Sequence, residues 1–377
     1  LLTPVGYGDK ASAGGTEPSL RFPVCRGGHP LPTVESVAGA RRAVELVRAL
    51  ADHERLLLLL SGGGSALLSM PAEGLDLSHV RDTTRQLLRA GASIGELNTV
   101  RRHLERLKGG GLALEAGGRP VLTLALSDVV GNPPEDIASG PVSPDPTTYA
   151  DALSVLNRYG LAGLRDGAVA EHLRRGLDGR AAESPFPGDP RLANVEYRVV
   201  ADVGTAMAGS AREALRLGYR VHELTRNLTG EARVQGRRFG VLARSLEPFR
   251  DAQTTGVCLL TGGETTVEVV GTGRGGPNQE LVLAAAPELD GIDGVLVGSM
   301  GTDGIDGSTD AAGALATGST VTRARAVGVR PQAALANNDS HDFFRRLGDL
   351  LVTGATGTNV MDVGMILAEA LVGSSPS

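Results

Sequence analysis

The sequence predicts an α/β fold of two domains, each a mostly parallel or mixed sheet flanked by helices. Three observations lead to this prediction. The chain has 377 residues, more than one ordinary hydrophobic core organises. Short apolar runs alternate with segments of helical periodicity along both halves, as in successive βαβ units. Most of the glycine-rich loops directly follow such runs, at the position where open α/β sheets form their ligand crevices.

The first predicted domain covers residues 1–190. The run Leu56–Leu60 consists of leucine alone, which predicts a strand buried on both faces. A second buried strand is expected at Val121–Leu126. Apolar spacing predicts helices at 77–90, 98–107, 150–159 and 167–177, with the second of them stopped by the glycines at 109–111.

The second predicted domain covers residues 195–377, after a polar segment at 181–194 whose three prolines indicate a linker. Helices are expected at 206–217, 231–246 and 278–286, and strands at 197–201, 220–225, 256–260, 265–270 and 294–298. The β/α order predicts a mostly parallel sheet in each half. The alternating segment 265–270 is expected to pair with 256–260, with some antiparallel pairing there.

Composition excludes several classes of protein. The net charge is −6, no basic patch stands out, and aromatic residues make up only 3%, so no nucleic-acid surface is expected. The two cysteines, Cys25 and Cys258, match neither a disulfide nor a zinc spacing, which favours a reducing cytoplasm. No apolar run is long enough to span a bilayer, so no membrane partner is expected.

The loop at 61–65 is the first candidate site, and it contains Ser61, Gly62, Gly63, Gly64 and Ser65. Its glycines have no side-chain bulk, so their backbone N–H groups are able to approach a ligand closely. A helix that begins near Ser65 would add a positive dipole end, which suits a phosphate or a carboxylate. The alternative is an ordinary tight turn between a strand and a helix.

A second glycine-rich loop satisfies the dinucleotide pattern G-x-G-x-x-G with Gly271, Gly273 and Gly276. Two features argue against a dinucleotide. The preceding segment alternates and carries Glu268, whereas the first strand of such a site is usually buried on both faces. Pro277 follows the last glycine and removes an N–H group from the loop. The chain also has no P-loop motif, no protein-kinase motif and no G-x-S-x-G.

Carboxylates in post-strand positions form the second candidate site. Asp303 and Asp306 lie three residues apart in a glycine-rich loop, where paired carboxylates are able to hold Mg²⁺. The alternative is a solvated Asp-Gly turn. Glu264 and Asp128 occupy comparable positions after strands, which favours the metal or catalytic interpretation. His29 and His103 each stand alone, so a structural or surface role is expected for both.

In order and content, a series of motifs resembles the class II glycerate kinases, also called glycerate 2-kinases. Their C-terminal half is the MOFRL domain, and some members have been labelled hydroxypyruvate reductases. The resemblance covers nearly the whole chain from residue 28 onward. It is carried by SGGGSAL at 61–67, NTVR at 98–101 leading to KGG at 108–110, SDVVG at 127–131, IASGP at 137–141 with DPTT at 145–148, GGETTV at 262–267, NQEL at 278–281, GTDG at 301–304, ND at 338–339 and TNV at 358–360.

The resemblance implies a Rossmann-like N-terminal domain and a MOFRL-type C-terminal domain, with the active site in the cleft between them. It implies ATP, a divalent metal and D-glycerate, with 2-phosphoglycerate as the usual product. Phosphoryl transfer depends on positioning and charge neutralisation. On this basis the loop 61–65 is expected to bind the glycerate carboxylate or a phosphate.

The same resemblance directs the remaining assignments. Arg101 and Lys108 are expected to form a cationic clamp, and Mg²⁺ is assigned to Asp303 and Asp306. Asp128 or Asp303 would accept the proton of the substrate hydroxyl. The residues expected on the opposite wall of the cleft are Glu264, Asn278, Gln279 and Glu280. A homodimer is one expectation for the assembly.

The chain departs from the family pattern at several positions. The family carries a Gly-Lys-Ala motif upstream of the segment where this chain begins, so an N-terminal segment is expected to be missing before Leu1. Lys10 lies in a different context and does not replace that lysine. Pro277 stands where arginine is frequent, and Arg102 stands where lysine is common. Two alternatives therefore remain: an NAD(P)H-dependent hydroxypyruvate reductase, and an inactive sugar-acid-binding homologue.

Overall fold

The computed structural model describes residues 2–4, 24–161, 167–246 and 255–370. The chain divides into two compact units, Leu1–Val200 and Ala201–Ser377. Each unit contains a sheet with helices packed on it, so the predicted α/β fold class is confirmed. The domain limits 1–190 and 195–377 stay a prediction. Lys10 lies outside the described residues.

The first unit contains five strands and seven α-helices among its described residues. The strands are β1 (Leu2–Pro4), β2 (Cys25–Gly27), β3 (Leu56–Leu60), β4 (Val121–Leu126) and β5 (Val195–Ala201). The helices are α1 (Val34–Arg48), α2 (Gly64–Leu67), α3 (Leu77–Arg89), α4 (Ile94–Leu104), α5 (Gly111–Glu115), α6 (Tyr149–Arg158) and α7 (Ala168–Leu177). The predicted helices near 77–90, 150–159 and 167–177 are therefore present.

Strand β3 is not buried on both faces, which corrects the prediction from its five leucines. It pairs in parallel with β4 at the edge of a sheet ordered β3-β4-β5. Leu56 and Leu58 pack against a core formed with α1 and α5, whereas Leu57 and Leu59 are 55% and 69% exposed. A run of identical residues has no periodicity, so it does not show which face the core covers.

Helix α4 carries several of the predicted site residues. It begins at Ile94 behind a capping box in which Ser93 and Glu96 bond each other's backbone N–H groups. The helix ends at Leu104, three residues before the predicted end, because Glu105 adopts an extended conformation. Its apolar face packs with α3, α6 and α7 in one of the two cores of this unit. This packing fixes the direction of the polar residues on its last two turns.

The second unit contains six strands and six helices in the part that the structure describes. The strands are β6 (Tyr219–Leu228), β7 (Gly256–Gly263), β8 (Val295–Gly301), β9 (Gly313–Thr317), β10 (Leu350–Leu351) and β11 (Asp362–Glu369). The helices are α8 (Val203–Arg216), α9 (Ala232–Ser245), α10 (Pro277–Leu289), α11 (Thr320–Ala326), α12 (Pro331–Ala336) and α13 (Ser340–Leu347).

The sheet of the second unit is mixed and mainly antiparallel, which corrects the expectation of a mostly parallel sheet in this half. The strand order is β10-β9-β8-β11-β7-β6, and only β6 and β7 pair in parallel. Strands β7 and β8 run in the same direction, as a βαβ unit requires, since each is antiparallel to β11. The last strand of the unit, β11, lies between them, and no local sequence pattern predicts this insertion.

The predicted strand at 265–270 is wrong. The segment makes one isolated bridge, between Thr266 and Glu231. It cannot pair with β7 because both edges of β7 are already occupied, by β6 and by β11. The backbone of Thr266 instead bonds to Gly230 and Ala232 at the start of α9.

Helix α10 is the central helix of the second unit. Ten of its residues are buried, and it packs against α9, β8 and β9. Its N-terminus presents Asn278, Gln279 and Glu280 to the loops that follow the strands of the sheet. In the described part of the chain, no helix is both long and apolar enough to cross a membrane.

Candidate active site

The glycine loop at 61–65 leads into α2, a helix of only four residues, so the helix-dipole contribution considered from the sequence is small. Gly63 adopts a left-handed conformation with φ of 82°. The N–H groups of Gly62, Gly63 and Gly64 donate to no acceptor among the described residues. The loop therefore offers free backbone donors on a half-buried surface.

A strained turn packs directly against this loop. Ala138, Ser139 and Gly140 all have positive φ, at 54°, 60° and 63°. Two successive non-glycine residues in this region are costly, and such strain collects at functional sites. A side chain on Gly64 would lie 2.6 Å from the Cβ of Ala138, so glycine is required for this approach. The turn brings the hydroxyl of Ser139 against the loop.

A continuous chain of hydrogen bonds runs from the loop into the protein. The hydroxyl oxygens of Ser65 and Ser139 lie 2.7 Å apart. Ser139 donates to Oδ1 of Asn98 at 2.9 Å, and Nδ2 of Asn98 donates to Asp136 at 3.0 Å. Arg102 completes the chain with an ion pair to Asp136 at 3.2 Å. Asn98, Arg102 and Ser139 are all buried, so the middle of this network is shielded from solvent.

Lys108 lies beneath the loop and is 2% exposed. Its ammonium donates to the carbonyl oxygens of Ser65 and Leu68, at 2.7 Å and 3.2 Å, and lies 3.5 Å from a carboxylate oxygen of Glu105. Burial lowers the pKa of Lys108, and the Glu105 carboxylate opposes this effect. Carbonyl and carboxylate oxygens of the protein therefore already surround this ammonium.

Arg101 differs from Lys108. Arg101 is 9% exposed, and its guanidinium makes no hydrogen bond or ion pair within the described ranges. Burial lowers the pKa of Arg101, which Glu105 partly opposes. A buried charge without a partner is costly, and a guanidinium binds carboxylate or phosphate through two parallel hydrogen bonds. Arg101 is thus available to an anion.

His29 lies beside the same loop, although the sequence predicts only a structural or surface role for it. Its ring carbon Cδ2 is 3.3 Å from the position that a Cβ on Gly63 would take. Burial lowers the pKa of His29, Asp128 opposes this effect, and Arg101 adds to it. Burial also raises the pKa of Asp128. The available sequence signal was the position of His29, two residues after the end of β2.

His103 is buried within its own unit. One ring nitrogen hydrogen-bonds with the carbonyl oxygen of Thr99 at 2.8 Å, and the other with the carboxylate of Glu183 at 3.0 Å. The ring also contacts Tyr149 edge-on, with the ring centroids 4.7 Å apart. Both nitrogens are therefore engaged within the fold.

In the second unit, Asp306 caps the N-terminus of α10. One carboxylate oxygen accepts from the backbone and side-chain nitrogens of Asn278, at 3.0 Å and 3.2 Å. The other accepts from the backbone and side-chain nitrogens of Gln279, both at 2.8 Å. Burial raises the pKa of Asp306, and these four donors oppose the effect. The helix N-terminus is therefore already satisfied by an anion of the chain itself.

The remaining polar groups at this end of α10 are also engaged. The carboxylate of Glu280 accepts from Arg233 at 2.8 Å and from Nδ2 of Asn338 at 3.0 Å. The amide of Gln279 also donates to Thr309 at 3.0 Å, and Oδ1 of Asn278 accepts from Ser299 at 2.5 Å. These contacts tie the helix to the neighbouring loops and to β8.

Asp362 joins the predicted carboxylates of the second unit. As the first residue of β11 it pairs with Gly263 on one side and Gly301 on the other. Those glycines end β7 and β8 and lead into the segments of Glu264 and Asp303. Burial raises the pKa of Asp362 to about 7, and the charges of Asp306, Glu264 and Asp303 contribute, while a hydrogen bond from Asn278 opposes them.

The carboxylates do not form a preformed metal cage. Among the residues that the structure describes, no three His, Cys, Asp or Glu side chains converge to hold an ion. Oδ1 of Asp303 accepts from the backbone N–H of Ile305 at 2.9 Å, and Asp303 is half-buried. Asp362 was missed at the sequence level, because its partners lie about 60 and 100 residues away along the chain.

The G-x-G-x-x-G loop is filled by the chain itself. The N–H groups of Val270 and Gly271 donate to the side chain of Asn338, and that of Gly273 donates to the carbonyl of Asn337. A side chain at Gly273 would collide with the Cβ of Asp339. These glycines therefore permit close packing of two backbone segments. The amides of Val270, Gly271 and Gly273 are therefore already bonded within the protein.

Comparison with known proteins identifies two family domains. The domain of unknown function DUF4147 matches residues 3–174, and the MOFRL family matches residues 257–362. The chain is 41% identical to the D-glycerate 2-kinase of Thermotoga maritima, over 92% of this chain and 80% of that protein. An Agrobacterium vitis protein named as a hydroxypyruvate reductase is 39% identical, over 93% and 78%. The crystal structure of a glycerate kinase from Thermotoga maritima superposes with a TM-score of 0.84 at 39% identity, covering 97% of this chain and 84% of that one.

Proposed function

We propose, since the chain belongs to the glycerate 2-kinase family, that it transfers the γ-phosphoryl group of ATP to a hydroxyl of D-glycerate. The product proposed is 2-phosphoglycerate. The family membership rests on relatives at 36–41% identity that match over more than nine-tenths of this chain. The arrangement of charged and polar groups in each unit supports the same reaction.

The observation that carries the proposal is the guanidinium of Arg101, which has no hydrogen bond or ion pair to any residue that the structure describes. It is buried in the unit that also holds the free N–H groups of Gly62, Gly63 and Gly64. A carboxylate offers the paired acceptor oxygens that a guanidinium prefers, and backbone amides are able to complete its coordination. We assign the carboxylate of glycerate to Arg101 and to this glycine loop.

We propose that Lys108 positions the loop and does not bind the substrate directly. Its three donors face Ser65, Leu68 and Glu105, which leaves no hydrogen for a ligand. The resulting contacts fix the end of α2, where the loop meets the hydrogen-bonded chain from Ser65. This role replaces the cationic clamp expected from the sequence.

We propose Asp128 as the acceptor of the hydroxyl proton. Burial raises its pKa, which makes its carboxylate a stronger base than an exposed aspartate. His29 and Arg101 both interact electrostatically in this region, and His29 borders the loop. His29 is proposed as a neighbour that orients the acceptor.

For the second unit we propose binding of Mg²⁺, and with it the phosphates of ATP, by one or two of the carboxylates of Asp303, Glu264 and Asp362. Mg²⁺ commonly takes one or two carboxylates and completes its shell with water and phosphate oxygens, so these side chains fit it without a closed cage. When bound, the ion would neutralise charge on the phosphates. Asp306 is instead proposed to position the loop that carries Asp303, since both its oxygens already accept two N–H groups each.

Asn278, Gln279 and Glu280 are proposed to act through the same loop. Their side chains hold Asp306, Ser299, Thr309, Arg233 and Asn338, so they fix the end of α10 beside the carboxylates. A cytoplasmic location and a homodimer remain predictions.

The experiment that tests the function compares two reactions of the purified protein. We expect ADP and phosphoglycerate to form from ATP and D-glycerate with Mg²⁺, and no oxidation of NADH with hydroxypyruvate. Reduction of hydroxypyruvate without phosphoglycerate would overturn the proposal in favour of the reductase. Binding of glycerate with neither reaction would identify an inactive sugar-acid-binding homologue. Analysis of the product by NMR distinguishes the 2-phosphate from the 3-phosphate.

A further inference from the structure

The hydrogen-bonded chain from Asp136 to Ser65 has a single direction. The carboxylate of Asp136 forms an ion pair with Arg102, so it accepts hydrogen bonds. The side chain of Asn98 must then turn its Nδ2 toward Asp136, at 3.0 Å. Its Oδ1 consequently faces the other way and is able only to accept. The orientation of this buried amide is therefore fixed by its neighbours.

The orientation of the Asn98 amide fixes the direction in which the Ser139 hydroxyl donates its hydrogen bond. Its hydroxyl donates to Oδ1 of Asn98 at 2.9 Å, which uses its only hydrogen. The oxygens of Ser139 and Ser65 lie 2.7 Å apart, so a hydrogen bond joins them. Since Ser139 has no second hydrogen, Ser65 is the donor in this contact. The left-handed conformation of Ser139, with φ of 60°, holds the hydroxyl in place.

Ser65 therefore directs its only hydroxyl hydrogen into the protein, and its oxygen presents lone pairs to the surroundings. Toward a ligand it is able only to accept. An anionic oxygen has no hydrogen to offer, so this hydroxyl does not suit the carboxylate or a phosphate. It suits either a hydroxyl hydrogen or a metal ion. The ammonium of Lys108 is bonded to the carbonyl of the same serine at 2.7 Å, and this positive charge disfavours a metal ion.

We infer that Ser65 accepts a hydrogen bond from one of the two hydroxyls of glycerate and is a specificity-determining residue. This inference rests on the function proposed above and assigns different ligand groups to different residues of one loop. The glycine amides and Arg101 bind the carboxylate, whereas Ser65 selects for a hydroxyl. A hydroxy acid that lacks that hydroxyl loses the contact, because its position no longer offers a hydrogen. Loss of one neutral hydrogen bond is expected to weaken binding about 3- to 10-fold.

The test measures by calorimetry the affinity of the protein for D-glycerate, D-lactate and 3-hydroxypropanoate. The second ligand lacks the hydroxyl on C3, and the third lacks the one on C2. We expect Ser65→Ala to weaken D-glycerate about 3- to 10-fold, weaken one of the two analogues similarly, and leave the other unchanged. The unchanged analogue identifies the hydroxyl. The control is Ser154→Ala, an exposed serine on α6, which should alter none of the affinities.

A second variant tests the direction of the chain. Ser139→Gly suits the left-handed backbone, so it should fold, and it removes the acceptor for the Ser65 hydrogen. We expect discrimination between D-glycerate and the analogue that lacks the contacted hydroxyl to decrease. Addition of Ser65→Ala to this variant should then cost less than it does in the wild type. Full additivity of the two substitutions would contradict the proposed direction.

Three outcomes would overturn the inference. Equal weakening of all three ligands by Ser65→Ala would mean that the Ser65 hydroxyl contacts the carboxylate, which the three ligands share. Unchanged affinities would mean that Ser65 does not contact the ligand. A changed Mg²⁺ requirement in Ser65→Ala with unaltered glycerate affinity would make it a metal ligand. If the wild-type protein neither binds glycerate nor forms phosphoglycerate, the proposed function fails. If it does both and the affinities follow one of the three outcomes, only this inference fails.

Discussion

The ammonium of Lys108 donates to the carbonyl oxygen of Ser65 at 2.7 Å, across 43 positions of the chain. The same ammonium faces Glu105, whose carboxylate accepts from the hydroxyl of Ser69. A buried charge pair thus lies directly beneath the glycine loop. Arg101 lies on α4, four residues before Glu105, and is buried without such a partner among the described residues. The two cations that the sequence predicted as one clamp therefore have different physical situations, and their substitution should have different effects.

Substitution of Lys108 by methionine should destabilise the protein. It leaves the carboxylate of Glu105 buried without a cation, which typically costs about 3–5 kcal/mol. Urea unfolding of Lys108→Met should show this loss. The double variant Lys108→Met with Glu105→Gln should recover part of it. A normal unfolding free energy in Lys108→Met, together with loss of activity, would restore the clamp role on the ligand.

Substitution of Arg101 by methionine should have the opposite signature. Removing an unpaired buried charge relieves a desolvation cost, so the free energy of unfolding should stay the same or increase. The kcat/KM for D-glycerate should decrease on the order of 10² or more, as the carboxylate loses its cation. Arg85→Met, at an exposed arginine paired with Asp82 on α3, is the matched control. Unchanged kinetics in Arg101→Met would remove Arg101 from the site.

Substitution of Asp306 should mainly reduce stability, whereas substitution of Asp303 should mainly reduce activity. Asp306→Asn places an amide against four N–H donors, so the free energy of unfolding should decrease by about 2–4 kcal/mol. Asp303→Asn, at a half-buried position, should keep the melting temperature of the wild type, and its kcat should decrease on the order of 10²-fold. Thermal melting and steady-state kinetics of both variants distinguish these roles. Equal melting temperatures would argue against the cap, and full activity of Asp303→Asn would argue against the metal site.

The raised pKa of Asp362 predicts a pH dependence of stability. The folded protein holds this proton up to about pH 7, whereas the unfolded chain releases it near the ordinary value of 3.8. Unfolding between these limits releases a proton, so the contribution of Asp362 to stability decreases as the pH rises through this window. The difference in melting temperature between Asp362→Asn and the wild type should therefore favour the variant more at about pH 8 than at about pH 5.

The measurement compares differences between variants, because Asp128 and Asp306 also have raised pKa values. Asp52→Asn, at a fully exposed aspartate, serves as the control. A difference between Asp362→Asn and the wild type that is the same at both pH values would contradict the assigned pKa.

The packing role of the second glycine loop is tested by one pair of substitutions. Gly273→Ala collides with Asp339 and with the carbonyl of Asn337, so it should destabilise the protein by about 1–3 kcal/mol. Gly298→Ala in β8 meets only ordinary contacts, at 3.6 Å or more, and should be nearly neutral. A thermal shift assay of the two variants gives the comparison. A neutral Gly273→Ala would reopen the possibility that this loop is held open for a ligand.

Local sequence patterns predicted much of the fold. The helical spacing at 77–90 and the apolar strand Val121–Leu126 both correspond to elements of the structure. The βαβ order at β7, α10 and β8 also holds, since the two strands run in the same direction. These features depend on residues within one or two turns of each other, so the sequence contains them directly. The motif series also predicted the family.

The sequence by itself thus determined the fold class, the positions of most helices and strands, and the loops that carry candidate residues. Only the tertiary structure decided how these loops are used. Strand β11 enters between β7 and β8 and brings Asp362 to the carboxylates, and Asp306 caps a helix that begins 29 positions earlier in the chain. Within the described ranges Arg101 has no hydrogen-bond or ion-pair partner, whereas the ammonium of Lys108 is enclosed by protein oxygens. Such outcomes depend on which distant groups reach each donor and acceptor, and no local periodicity specifies that competition.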